Sequence, residues 1–149
     1  GNKLAKELTG AEIVVHRDAG ELLVSALRLQ MAAFVGGEPS PPPDRLVDDG
    51  ELLEVGEVKL EVIHTPGHCH GAICLYGDRA VFTGDTLFVG NVGRTDLPGG
   101  SFEVLKRSIH ERLFTLPEDT IVYSGHDYGP TQTSTIGQEM KTNRAVMMR

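Results

Sequence analysis

The chain has little of what would tie it to a membrane. No run approaches the roughly 20 apolar residues of a membrane-spanning helix, no signal-like apolar stretch opens it, and Cys69 and Cys74 are its only cysteines. These absences point to a soluble protein, expected in the cytoplasm and without a membrane partner. Positive charge is also short, with 14 Lys and Arg against 21 Asp and Glu and a formal net charge of −7. Nucleic acid and anionic lipid both attract through a positive field, so no nucleic-acid partner is expected, and an anionic ligand would need a local pocket. There is no internal repeat, and no biased tract beyond the proline-rich stretch at 36–43. What is present, 149 residues with 40% hydrophobic and 23% charged, suffices for one domain with its own core, expected to span 1–149.

The pattern along the chain alternates helix and strand at both ends around a β-rich centre. Asn2 can cap a short helix over 3–8 that Gly10 ends, and Ile13-Val14-Val15 reads as a buried strand. Asp18 with Glu21 forms a capping-box pattern ahead of an apolar stripe at Leu22, Leu23, Ala26, Leu27 and Leu29. Prolines then impose an extended connection, since they lack an amide donor. From Glu51 the runs become short and β-like: Leu53 to Val62 folds about Gly56-Glu57, and 72–76 and 80–83 flank Gly77-Asp78. Ser101 opens a helix whose Phe102, Leu105, Ile109 and Leu113 share a face, Ile121-Val122-Tyr123 is a further strand, and Thr135 with Gln138 marks a last helix start. Helices covering a sheet follow, as α/β or α+β.

Chemistry concentrates where short loops leave strands, the positions from which a sheet presents reactive groups. His64, His68 and His70 follow one apolar run, Asp85 ends the strand Val81-Phe82-Thr83, and His126 follows Ile121-Val122-Tyr123. A histidine, a carboxylate and a histidine at three strand ends make a plausible set of metal donors, suited to zinc, iron or manganese more than to calcium or magnesium. A lone histidine is more often a hydrogen-bonded structural residue than a ligand, and His16 and His110 are read that way. Asp85 alone could equally be a turn residue after Gly84.

Three ordered motifs are more specific: Thr65-Pro66-Gly67-His68, then Thr83-Gly84-Asp85-Thr86-Leu87-Phe88 with Gly93-Arg94-Thr95-Asp96, then Gly125-His126-Asp127-Tyr128. Together they resemble the metallo-β-lactamase superfamily, and within it the glyoxalase II-like (hydroxyacylglutathione hydrolase-like) proteins. The resemblance implies an α+β fold, the αββα sandwich of two mixed sheets covered by helices. It implies His68 and His126 as ligands of two different divalent metal ions, zinc first with iron or manganese as alternatives, and Asp85 as the carboxylate bridging them. Tyr128 and Arg94 would meet the thiol half of a small thioester substrate such as an acylated glutathione, with an ion pair between Arg94 and Asp96 the competing role for that guanidinium. Gly67 and Gly84 would let the backbone turn tightly beside the metals. His64, His70, Cys69 and Cys74 have no ligand role in the pattern and are read as packing or supporting residues.

The superfamily's His-x-His-x-Asp-His motif matches nothing in 1–149. The resemblance therefore implies an N-terminally truncated sandwich with two protein donors per ion, which would hold metal weakly and be inactive alone. An uncovered sheet edge would favour a homo-oligomer. The intact protein is expected to be a metal-dependent thioester hydrolase. Ser108 to Glu139 is also similar to persulfide dioxygenases of the same superfamily, where equivalents of His68 and Asp85 with one upstream histidine would hold a single iron. Thr86-Leu87-Phe88 and the proline-rich insertion look more like the hydrolase group. A non-catalytic binding or assembly remnant is the third alternative.

Overall fold

The structure, a computed structural model, describes residues 1–23, 25, 34 and 36–147, and it divides into two compact units, Gly1–Asp48 and Asp49–Arg149. In the first, α1 (Asn2–Thr9) precedes β1 (Val14–His16), α2 (Arg17–Leu23) and β2 (Arg45–Val47), with β1 and β2 paired in parallel. Gly10 ends α1 in the left-handed region at φ 70°, as expected. Asn2 does not cap that helix. Gly1 occupies the cap position, and the Asn2 amide instead donates to Ser40 Oγ at 2.9 Å, tying the helix to the proline-rich connection. The capping role expected of Asp18 is displaced by one turn of logic: α2 already begins at Arg17, and the buried His16 ring accepts the Asp18 N–H through Nδ1 at 3.2 Å. The rest of the expected stripe, Ala26, Leu27 and Leu29, lies outside the described residues.

The second unit is built on a six-stranded sheet. Its hairpins are β3 (Leu52–Val55) with β4 (Val58–His64) and β5 (Ile73–Gly77) with β6 (Ala80–Gly84), followed by β9 (Ile121–Ser124) and β10 (Thr133–Thr135). Val55 pairs with Val58 around Gly56-Glu57, as the sequence suggests. The next turn shifts by one residue: Gly77 pairs with Ala80, so Asp78 and Arg79 are the turn, at φ 48° and 61°. Two left-handed central residues match the right-handed twist of a hairpin, and the Arg79 guanidinium is held there by Asp119. Between β6 and β9 the chain forms a separate two-stranded ribbon, β7 (Leu87–Phe88) and β8 (Asn91–Val92), and then α3 (Phe102–Ser108). Ser101 caps α3, and a π-helical turn, Ile109–Leu113, continues it. Leu105, Ile109 and Leu113 are fully buried against Ile63, Val81 and Val122 of the sheet, each worth roughly 1.5–3 kcal/mol of burial. Phe102, expected on the same face, is 38% exposed because it sits at the helix's first residue, beyond the core. Thr135 caps α4 (Ile136–Thr142) by accepting from Gln138 N at 3.2 Å, and α5 (Arg144–Met147) follows. Among the described residues no helix is long and apolar enough to cross a membrane.

Strand direction decides where the chemistry gathers. The sheet order is β10-β9-β6-β5-β4-β3. Because β5 runs antiparallel to both β4 and β6, those two run the same way, and β9 is parallel to β6. The C-terminal ends of β4, β6 and β9 therefore open at one end of the sheet, and the loops leaving them carry His68, Asp85 and His126.

Candidate metal centre

Each of these loops is pinned by its own backbone. The His68 loop closes between β4 and β5 through Thr65 N–H to Ala72 O at 2.9 Å, and it lies against α3, whose Ser108 hydroxyl donates to Pro66 O at 2.7 Å. Gly67 is needed at that contact. Its φ is 134°, and a Cβ there would come within 2.3 Å of the Leu105 backbone. On the second loop the alternation of β6 points the Thr83 side chain inward, where it donates to Leu87 O at 2.6 Å, and the register shifts between Phe82 and Gly84. Bulges of this kind re-aim the residues that follow them. Gly84, at φ 49°, completes the turn that presents Asp85. The third loop is joined to the second by Gly125 N–H to Gly84 O at 2.9 Å, which brings His126 over Asp85.

The three side chains meet on one carboxylate. His126 Nδ1 donates to Asp85 Oδ1 at 2.8 Å, while His68 Nε2 lies 3.6 Å from Asp85 Oδ2. The second distance is too long for a hydrogen bond. His68 Nδ1 is 2.8 Å from the Arg94 carbonyl, which can only accept, so Nδ1 carries a proton and Nε2 is the nitrogen turned toward the carboxylate. With the ring neutral, these would be two facing acceptors, which repel unless a cation lies between them. A ring nitrogen fixed by a backbone carbonyl is also the way proteins orient a metal-binding imidazole. The donor chemistry, imidazole nitrogen and carboxylate oxygen, fits a borderline divalent ion.

The cavity over these groups has a volume of ≈ 490 Å³, and all five residues singled out in the sequence line it: His68, Asp85, Arg94, His126 and Tyr128. Tyr128 is 71% exposed and stacks on His126, with ring centroids 5.0 Å apart and planes at 14°. Phe88 meets both rings edge-on, at 5.8 Å from His126 and 5.6 Å from Tyr128. Arg94 forms the internal pair with Asp96, two bonds of 2.7 Å. That fork, with a backbone contribution, holds the Asp96 carboxyl at about 2. The wall formed by Asn91, Val92 and Leu97 carried no signal in the sequence, because it comes from a ribbon too short to show a period and from the irregular segment after it. His64 is engaged elsewhere, with Nε2 donating to His70 O at 2.8 Å. His110 Nε2 donates to Val146 O at 3.0 Å, the structural role its position suggested.

Aligned strand ends feeding an imidazole–carboxylate centre define an α+β protein built to place polar donors in a half-open cavity. A sequence model of the metallo-beta-lactamase superfamily matches residues 1–126, and the chain belongs to that superfamily. The family binds divalent metals and consists mostly of hydrolases. Among solved structures, a B3 metallo-beta-lactamase, BLEG-1, superposes with a TM-score of 0.83 at 34% identity, over 97% of this chain and 69% of that one. ETHE1 from Myxococcus xanthus gives 0.77 at 31%, over 99% and 57%. Hydroxyacylglutathione hydrolase GloC of Haemophilus influenzae is 36% identical over 144 residues, 93% of this chain and 65% of its own length. Human mitochondrial persulfide dioxygenase ETHE1 is 37% identical over 102 residues, 67% and 40%. The chain spans about half the length of the curated relatives it matches, from 41% to 65% for the first four.

Proposed function

We propose that this chain supplies the metal-holding and substrate-facing loops of a hydrolase acting on thioesters such as acylated glutathione. The observation that carries the reading is the shared carboxylate: Asp85 presents one oxygen to each of two imidazoles, and one of those imidazoles is held by its Nδ1–H bond with Nε2 toward it. His68 would serve one ion, His126 a second, and Asp85 both. Divalent ions bound there supply Lewis acidity, polarising a carbonyl and lowering the pKa of coordinated water towards about 7. The chain's own residues do the rest. The His68 Nδ1–H bond to the Arg94 carbonyl keeps the ligand ring from turning, Phe88 and Tyr128 both pack on the His126 ring, and Tyr128 with the Arg94 side chain would meet the thiol half. The GloC likeness, which runs over most of this chain, supports the thioester class.

A second reading has its own support in the two ETHE1 likenesses, and it assigns a single iron held by His68 and Asp85 to an oxygenase. Elemental analysis of the full-length protein, paired with assays of acyl-glutathione cleavage and of persulfide-dependent oxygen uptake, separates the two. Two divalent ions per chain with thioester cleavage is the expected result. One iron with oxygen uptake, and no thioester cleavage, would overturn the hydrolase reading in favour of the second.

A further inference from the structure

Glu139 is the one charged side chain among the fully buried residues described, at 0% exposure in the first turns of α4. Its Oε2 accepts from Gly90 N–H at 2.9 Å and from Asn143 Nδ2 at 2.8 Å, and its Oε1 has no hydrogen-bond partner. Asn143, also at 0%, carries the same amide group to the carbonyls of Asn91 at 3.0 Å and Phe88 at 3.4 Å, and its Oδ1 accepts Ala145 N–H at 3.2 Å. Stability alone does not account for this. Burying a carboxylate with one oxygen unpartnered is costly, and an apolar side chain beside Ile136 would pack without that cost.

What the pair holds is the turn of the β7–β8 ribbon: Phe88 O, Gly90 N–H and Asn91 O. The ribbon has two residues in each strand, too few to fix itself. Its other side faces the candidate centre. The Phe88 ring packs edge-on against His126, and two residues past β8 the Arg94 carbonyl accepts the hydrogen bond from His68 Nδ1. The ribbon and the segment that leaves it thus touch both histidines, and the back of the ribbon is fastened to α4 by buried polar bonds.

We infer that Glu139 and Asn143 are positioning residues for the metal centre: they lock the β7–β8 ribbon so that Phe88 and the Arg94 carbonyl hold His126 and His68 in register with Asp85. The inference rests on the proposed role of those three side chains as metal ligands, and not on the identity of the substrate. Both residues act through backbone that touches the ligands; neither lines the cavity.

The test uses the full chain with Glu139→Gln, Glu139→Ala and Asn143→Ser, read by urea unfolding, by ¹⁵N NMR of the His68 ring and by Zn²⁺ titration. In the parent, His68 shows the Nδ1–H tautomer. Glu139→Gln keeps the volume and an acceptor for Gly90, so the tautomer signature is retained and zinc affinity stays within about 3-fold, whereas Glu139→Ala and Asn143→Ser lose the single-tautomer signature and about 10-fold or more in zinc affinity. Folded Glu139→Ala and Asn143→Ser variants that keep both the tautomer and the affinity would reduce the pair to a structural staple and overturn the inference. So would a Glu139→Gln that behaves like Glu139→Ala. If Glu139→Ala does not fold, Asn143→Ser decides on the same readouts. Should the variants order as expected while no protein cleaves a thioester, the functional reading fails and this one stands.

Discussion

Thr65, Cys74, Thr83 and Thr86 form a polar cluster inside an apolar core, each 0–1% exposed. Thr65 Oγ1 lies 3.0 Å from Thr86 Oγ1 and 3.3 Å from Cys74 Sγ, and Cys74 Sγ donates to Thr83 O at 3.7 Å. Thr65 is at the root of the His68 loop and Thr86 adjoins Asp85, so one hydroxyl pair joins the two turns. Burial pushes the Cys74 thiol up to about 11, which keeps it protonated and inert. Thr65→Val leaves the Thr86 hydroxyl and the Cys74 thiol each short of a partner, and urea unfolding should register a loss of about 1–3 kcal/mol, most of it restored in Thr65→Ser. A loss below about 0.5 kcal/mol would mean the pair is not needed. This is also where the sequence stopped being informative. Thr65, Thr83 and Thr86 stand inside the motifs that mark the family, yet nothing in their spacing says that two turns meet through one hydroxyl pair; Cys74 could be read only as packing. His68, Asp85 and His126 were legible because each follows an apolar strand, a local feature.

Elements were legible in proportion to their length and caps. The β3–β4 hairpin, the Ser101 cap and the Thr135 cap all follow from residues within four positions of one another. The β7–β8 ribbon, β10 and the π-helical turn did not, because strands of two or three residues carry no alternation and a single widened turn leaves no mark on a helical period. Asn2 and Asp18 misled for a related reason: a capping side chain is also free to bind elsewhere, and only tertiary structure decides which. That widened turn has a consequence that can be measured. It holds Arg112, whose Nη2 donates to both oxygens of Asp49 at 2.8 and 3.0 Å, while Asp49 Oδ1 also accepts His64 N–H at 2.8 Å. Burial pushes the Asp49 carboxyl up, but the Arg112 and His64 hydrogen bonds together outweigh it and hold the group below its ordinary 3.8. A depressed carboxylate contributes stability that is complete above the unfolded value and is lost as pH falls through the folded one. Stability of the parent should therefore decline from about pH 4 downward, and Asp49→Asn should be weaker at pH 7 and flatter across that acid range. An unchanged slope in the variant would show that Asp49 is not one of the groups responsible.

At the scale of the whole molecule the superfamily was legible from three motifs spread over residues 65–128, and the α+β class followed from the same residues. The division at Asp48 falls close to Glu51, where the runs become short and β-like, while the proline-rich stretch lies inside the first unit. All the donors of the candidate centre fall in the second unit, and among the described residues the cavity presents three of them: His68, Asp85 and His126. Three donors are fewer than two closed zinc sites require, so binding by these residues alone should be weak, with micromolar or poorer affinity. An ion that binds the folded state and not the unfolded one stabilises by RT ln(1 + [L]/Kd), about 1.4 kcal/mol at ten times Kd. Zinc added near pH 7 should raise the unfolding free energy by that order. Asp85→Asn should abolish the gain, since its carboxylate is the one group in contact with both imidazoles, whereas His110→Gln, whose ring is bound to Val146 O away from the cavity, should leave it intact. Zinc stabilisation that survives Asp85→Asn would place the ion elsewhere. Two ions held at nanomolar affinity by these residues would break the link between donor count and affinity on which the argument depends.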